Sequence, residues 1–215
     1  MGVLEATTFQ PQLVNRAACV PVAQTHRMPP LLVLWVELQS LGVECGENVR
    51  IHHSCVLIGT ENLRIGNHVR VDCFALLSAG PDGITIGNHV HIAAGAYLFG
   101  GGGPIVMEDY SGLSSRVSLY TSTDDYLDGF MTNPTVPDEL RKVRSAGITL
   151  RKHVIVGAGA VVLPGVELGE AAAIGALTCV QRDVGAFEIC TSEGHRQRIV
   201  GHRGKHLLEL QKQLD

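Results

Sequence analysis

LRKHVIVGAGAVVLPGVELGEAAAIGALTCV, residues 150–180, decides how this chain folds. Leu150, Val156, Val162, Leu168, Ile174 and Val180 are all aliphatic and each lies six residues after the last. Neither an amphipathic helix nor a plain strand repeats at six while placing small residues just after several of these positions. A strand of a few residues followed by a corner, repeated, does fit.

The first half keeps the rhythm in a longer frame. Ile65, Ile86 and Met107 are 21 apart; six onward lie Val71, Ile92 and Leu113, and six beyond those Leu77, Leu98 and Leu119. All nine are apolar, the pattern of hexapeptide repeats in a parallel β-helix whose stacked turns each bury one residue per side. Twenty-one is three six-residue sides plus three corner residues, supplied by GPDGIT (80–85) and GGGGPI (100–105), where Gly permits positive φ. Coils starting near Cys45, Ile65, Ile86, Met107, Leu150 and Leu168 number six, a stack of roughly 29 Å at about 4.8 Å per coil.

One long insert, residues 120–147, interrupts this period. It turns polar, with Asp124, Asp125, Asp128, Asp138 and Glu139, then Arg141, Lys142 and Arg144. Loops this long in regular folds usually serve function. The expected organisation is a capping segment over 1–40, with a short helix in PPLLVLWVELQSLG; a β-helix over 41–187 with its excursion; and a basic segment with a terminal helix over 188–215. Solenoids need capped ends.

A net charge of −4 gives no reason to expect nucleic acid as a partner. The six cysteines form no CxxC pair and no secretory signal is evident, so reduced thiols and a cytoplasmic location are expected. The longest apolar run is too short to span a bilayer.

These residues resemble the hexapeptide-repeat acyltransferases, in particular the galactoside/maltose O-acetyltransferase-like branch. The signature is VIVGAGAVVLPGVELGEAAAIGALTCVQRDV (154–184) after an excursion loop, within a similarity covering roughly residues 45–200. The resemblance implies a left-handed β-helix, a homotrimer with active sites between subunits, acetyl-CoA as cosubstrate, no metal, and an excursion that shapes the acceptor pocket. It also implies pantetheine contacts at Gly157, Ala158 and Ala176. Arg182, Arg196 and Arg198, which cluster with Arg203 after the last core position, are expected at the phosphates of coenzyme A.

Acyl transfer from a thioester needs a base and a donor for the developing oxyanion. Relatives in that branch place a His near the start of the loop; here Asp124 stands in its place. An ordinary Asp, pKa about 3.9, is a weak base toward a hydroxyl. Either burial beside Asp125 raises one carboxylate, or the acceptor is an amine. Asp124 is the first candidate for base or acceptor-orienting group and Asp125 the second, since neighbours in an extended segment face opposite ways. His91, one residue before core Ile92, is the reserve base. His68, His89 and His153, with Tyr110 in the equivalent place, are expected to stack as a surface ladder.

The resulting expectation is O-acetylation of a sugar hydroxyl, in surface polysaccharide biosynthesis, by direct transfer. The alternatives are N-acetylation of a nucleotide-linked amino sugar and, from another class, a non-catalytic β-helix scaffold. Zinc carbonic anhydrases share the coil architecture, but no two histidines here are five apart as that site wants.

Overall fold

The hexad positions stack on one another coil by coil. In the computed structural model, which describes residues 32–33, 38, 40–194 and 196–214, Cys45, Ile65, Ile86, Met107, Leu150 and Leu168 are successive partners in one parallel sheet. Ile51, Val71, Ile92, Leu113, Val156, Ile174 and Cys190 follow one another through a second sheet. Leu57, Leu77, Leu98, Leu119, Val162 and Val180 do so in a third. Six coils thus form a left-handed parallel β-helix, and nearly all of these side chains are buried in one continuous core. Because strands alternate, the residues flanking each core position face outward, and those outward columns are where chemistry can be mounted.

The corners follow two solutions. Glycine takes one: Gly59 has φ +67°, and a Cβ there would lie 2.2 Å from the Ala79 carbonyl oxygen. Another corner does without glycine. Asn48, His68, His89, Tyr110, His153, Ala171 and Phe187 all adopt φ between 55° and 63°. The left-handed conformation costs roughly 1–2 kcal/mol per residue. Ring stacking offsets part of it, with His68–His89, His89–Tyr110 and Tyr110–His153 centroids 4.7, 5.1 and 4.9 Å apart. Just before this column, Asn67 Oδ1 accepts from Glu47 N, Asn88 Oδ1 from Asn67 N, and Asp109 Oδ1 from Asn88 N. This explains the repeated IGNHV: Asn satisfies a corner N–H of the coil before, and His stacks. The expected ladder is present.

The ends are closed in ways the sequence pattern did not show. Leu32–Val33, in the stretch expected to carry a short helix, is a strand pairing antiparallel with Ile51–His52; Leu38 and Ser40 farther along that stretch are helical, and the rest of the N-terminal segment lies outside the described residues. An extended segment satisfies the open N–H and C=O groups of the first coil, which a helix cannot do. At the other end Glu188–Glu193 and Arg196–His202 form an antiparallel hairpin continuing the second sheet. A short helix, His206–Gln211, follows, and Gln211 Oε1 meets His153 Nε2 at 2.7 Å. Among the described residues no helix is long and apolar enough to cross a membrane.

The excursion leaves after Tyr120 and returns before Ile148, rooted by a two-stranded ribbon in which Ser122, Thr123 and Asp124 pair with Ser145, Arg144 and Val143.

Candidate active site

The outer face of the second sheet changes character along the stack. Before the core residues stand Arg50, Arg70, His91, Gly112, Ile155 and Ala173; after them stand His52, Asp72, Ala93, Ser114, Gly157 and Gly175. One end is charged and the other carries small side chains apart from the exposed Ile155. At the junction His91, Ala93, Gly112, Leu113, Ser114, Ser115 and Ile155 line an open hollow of about 350 Å³. Ala93, Gly112, Ser114 and Ser115 here leave a shallow track against which a thin, extended chain such as a pantetheine arm can lie.

His91 is not a solitary imidazole. Its Nε2 lies 2.8 Å from Asp72 Oδ2, and Asp72 Oδ1 accepts from Arg70 Nε at 2.7 Å. Partial burial pushes the Asp72 carboxyl up, but the hydrogen bonds from His91 and Arg70, with their charge, outweigh it and hold the pKa below the ordinary value. Asp72 is therefore an acceptor, so Nε2 carries the proton and a neutral His91 keeps its lone pair on Nδ1. Sequence reasoning singled out His91 but missed Asp72, 19 residues earlier. Its signal lay in the frame: it follows core Val71 as His91 precedes core Ile92.

The structure separates the two loop carboxylates. Asp124 sits in the ribbon, half-buried, with Oδ2 accepting from Asn133 N at a long 3.3 Å. Asp125 accepts from Leu127 N at 3.2 Å and Asp128 N at 2.8 Å. Slight desolvation pushes the Asp125 pKa up, but backbone N–H groups of Leu127, Asp128 and Phe130 and the charge of Lys142 prevail and lower it. Asp125 is occupied in holding a turn, while Asp124 keeps most of its accepting capacity. The tip beyond is anchored by Lys142, which pairs with Asp128 and lies 5.7 Å over the Phe130 ring.

The other expected residues divide similarly. Gly157 is a packing necessity: its N–H donates to Ile174 O at 2.8 Å, and a Cβ there would lie 2.5 Å from Ala176 N. Ala158 and Ala176 are exposed on adjacent coils along that edge. Arg196 and Arg198 flank Gln197, whose side chain bonds the Arg182 backbone at N and O, so the hairpin brings the three arginines to one end of the stack. Arg198 pairs with Glu193. Arg203 is structural, donating to His153 O at 2.8 Å and Ala171 O at 3.1 Å. In the glycine run, Gly102 N donates to Thr121 Oγ1 at 2.9 Å, which closes the corner. Among the described residues no group of three or more His, Cys, Asp or Glu could hold a metal ion.

No protein-family model matches the chain. It is 41% identical over 177 residues, 82% of this chain and 91% of the other, to a dTDP-4-amino-4,6-dideoxy-D-glucose acyltransferase from Escherichia coli. Its fold matches AntD, an N-acyltransferase from Bacillus cereus, in a complex with dTDP-4-amino-4,6-dideoxyglucose and coenzyme A. That match has TM-score 0.81 and 30% identity, covering 87% of this chain and 98% of the other. AntD with dTDP and 3-hydroxybutyryl-CoA matches at TM-score 0.80 and 31% identity, over 86% and 97%. These findings overturn the expectation of O-acetylation at a sugar hydroxyl: the relatives act on or bind a nucleotide-linked amino sugar, and a neutral amine needs no imidazole on the loop to make it nucleophilic. With identity of this level over most of both chains, the protein belongs to the hexapeptide-repeat acyltransferases.

Proposed function

We propose that the protein transfers an acyl group from a coenzyme A thioester to the amine of a nucleotide-linked 4-amino-4,6-dideoxy sugar. The observation that carries this reading is the root of the excursion. The insert contains no histidine, and the ribbon offers the Asp124 carboxylate instead. A carboxylate pairs well with an incoming ammonium and orients it. Once the proton has left, the nitrogen lone pair attacks the thioester carbonyl and the coenzyme A thiol departs. His91 Nδ1, with its lone pair fixed by Asp72, is a second acceptor for that proton. The bare track through Ala93, Gly112, Ser114 and Gly157, with Ala158 and Ala176 along its edge, suits the pantetheine arm; Arg182, Arg196 and Arg198 suit its phosphates.

The working form is a homotrimer in the cytoplasm. The outer face of the third sheet supports self-association: Val56 and Ile58 are 52% and 51% exposed, and Phe99 stacks on Tyr120 at 4.9 Å. An exposed apolar strip on a regular sheet marks an interface. Tyr126 and Leu127, 86% and 92% exposed at the excursion tip, fit a loop reaching a neighbour. Among the described residues Cys45, Cys55, Cys73, Cys179 and Cys190 form no disulfide, which fits a reducing compartment.

The test is direct. Enzyme, dTDP-4-amino-4,6-dideoxyglucose and either acetyl-CoA or 3-hydroxybutyryl-CoA are incubated, following thiol release and the mass of the sugar product. An amide is expected with at least one donor. Acylation of a galactoside hydroxyl, with the amino sugar untouched, overturns the reading.

A further inference from the structure

Arg50 and Arg70 are register partners on adjacent coils and stand in the same outward column as His91, the next partner of Arg70. Like charges directly opposite one another on a sheet are destabilising, and among the described residues only Arg70 has a carboxylate partner. Arg70 Nε is held by Asp72 Oδ1 at 2.7 Å, which restrains its guanidinium while the side chain stays 66% exposed. Arg50 is exposed and forms no salt bridge among the described residues. Beside the pair, Asn48, Arg50, His68, Val69 and Arg70 line a hollow of about 280 Å³. It adjoins the hollow at His91 through the Arg70–His91 register. Two guanidiniums, one braced by Asp72 and one without an ion pair among the described residues, at the mouth of a small polar hollow make a setting for a bidentate, multiply charged anion.

We infer that Arg50 and Arg70 form a subsite for a diphosphate, the linkage between nucleoside and sugar in the acceptor. This rests on the reading of the acceptor as a nucleotide-linked amino sugar, and it adds where the nucleotide end lies. In such a sugar the diphosphate hangs from the ring carbon across from the 4-amine, so the two groups are about one pyranose apart. Neighbouring coils are separated by roughly 4.8 Å, so a sugar ring spans the step from His91 to the arginine pair. The nucleoside then runs toward the first coil, away from the bare track on which the pantetheine arm fits. Coenzyme A also contains a diphosphate, and the subsite assignment requires that it is not the one bound here.

The experiment compares the wild-type protein with Arg50→Ala and Arg50→Lys, measuring calorimetric affinity for dTDP and for coenzyme A separately. Arg50 is exposed, so both variants are expected to fold. Loss of a charge-assisted, bidentate contact is expected to weaken dTDP binding by about tenfold or more in Arg50→Ala, with partial recovery in Arg50→Lys and coenzyme A affinity within about twofold. Unchanged dTDP affinity overturns the inference. So does weakened coenzyme A binding with dTDP unaffected, which gives the arginines to the donor, and so does a wild-type protein that does not bind dTDP. Weakened dTDP binding in a protein that acylates no amino sugar leaves the subsite standing and removes the proposed reaction.

Discussion

His91 Nε2 donates to Asp72 Oδ2 at 2.8 Å across the boundary between two coils. The bond joins residues that are not register partners, since Asp72 follows its core position and His91 precedes the next. It fixes both the tautomer and the ring orientation of the imidazole beside the bare track.

If His91 shares in removing the amine proton, Asp72→Asn lowers kcat by at least about tenfold through loss of that tautomer, with little change in coenzyme A affinity. Steady-state kinetics and calorimetry on the same variant check it. Unchanged kcat removes His91 from the chemistry.

Asp72 also predicts a pH effect on stability. Its folded pKa lies below the ordinary aspartate value, so its contribution is present above that value and is lost as pH falls below it, toward the folded pKa. The thermal unfolding temperature, followed from about pH 5 to about pH 2.5 across that value, is expected to fall less steeply in Asp72→Asn than in the wild type.

The two loop carboxylates predict different kinetic signatures. Asp124→Asn is expected to lower kcat by at least about tenfold while trimer mass and coenzyme A affinity are kept. Asp125→Asn replaces one of the two oxygens that hold the Leu127 and Asp128 amides by an NH2 group, so its defect is expected in the KM of the acceptor and in proteolysis of the tip.

Two glycines with similar φ separate strain from collision. Gly59 has φ +67° with Ala79 O 2.2 Å from a Cβ; Gly129 has φ +79° with nothing within 4 Å. Gly129→Ala is expected to cost about 1 kcal/mol. Gly59→Ala should cost several-fold more, because the obstacle is backbone in the next coil. Chemical denaturation measures both.

Placing a charge on the apolar strip tests the assembly. Ile58→Asp is expected to shift the protein from trimer to monomer in light scattering, and activity should fall with it if the sites lie between subunits. By contrast, His89→Ala in the stacked ladder is expected to cost about 0.5–1.5 kcal/mol of stability and leave kcat unchanged.

The sequence by itself determined the solenoid, its six coils, the core register and the place of the excursion. Those depend on a local rule: one apolar residue must point inward every six, and each turn repeats the same demand on the same face. The family resemblance was legible for the same reason. Which outward residues meet was not. Coils here advance by 20, 21 or 18 residues according to their corners, as from Cys45 to Ile65, Ile65 to Ile86 and Leu150 to Leu168. The neighbours of Asp72 and Arg50 are therefore set only when the turns close. Asp124 and Asp125 look interchangeable in the chain; backbone amides folded back by the loop occupy one and leave the other nearly free. Core positions are dictated by burial, which the sequence displays. Site geometry is dictated by side chains brought together across coils, which only the tertiary structure decided.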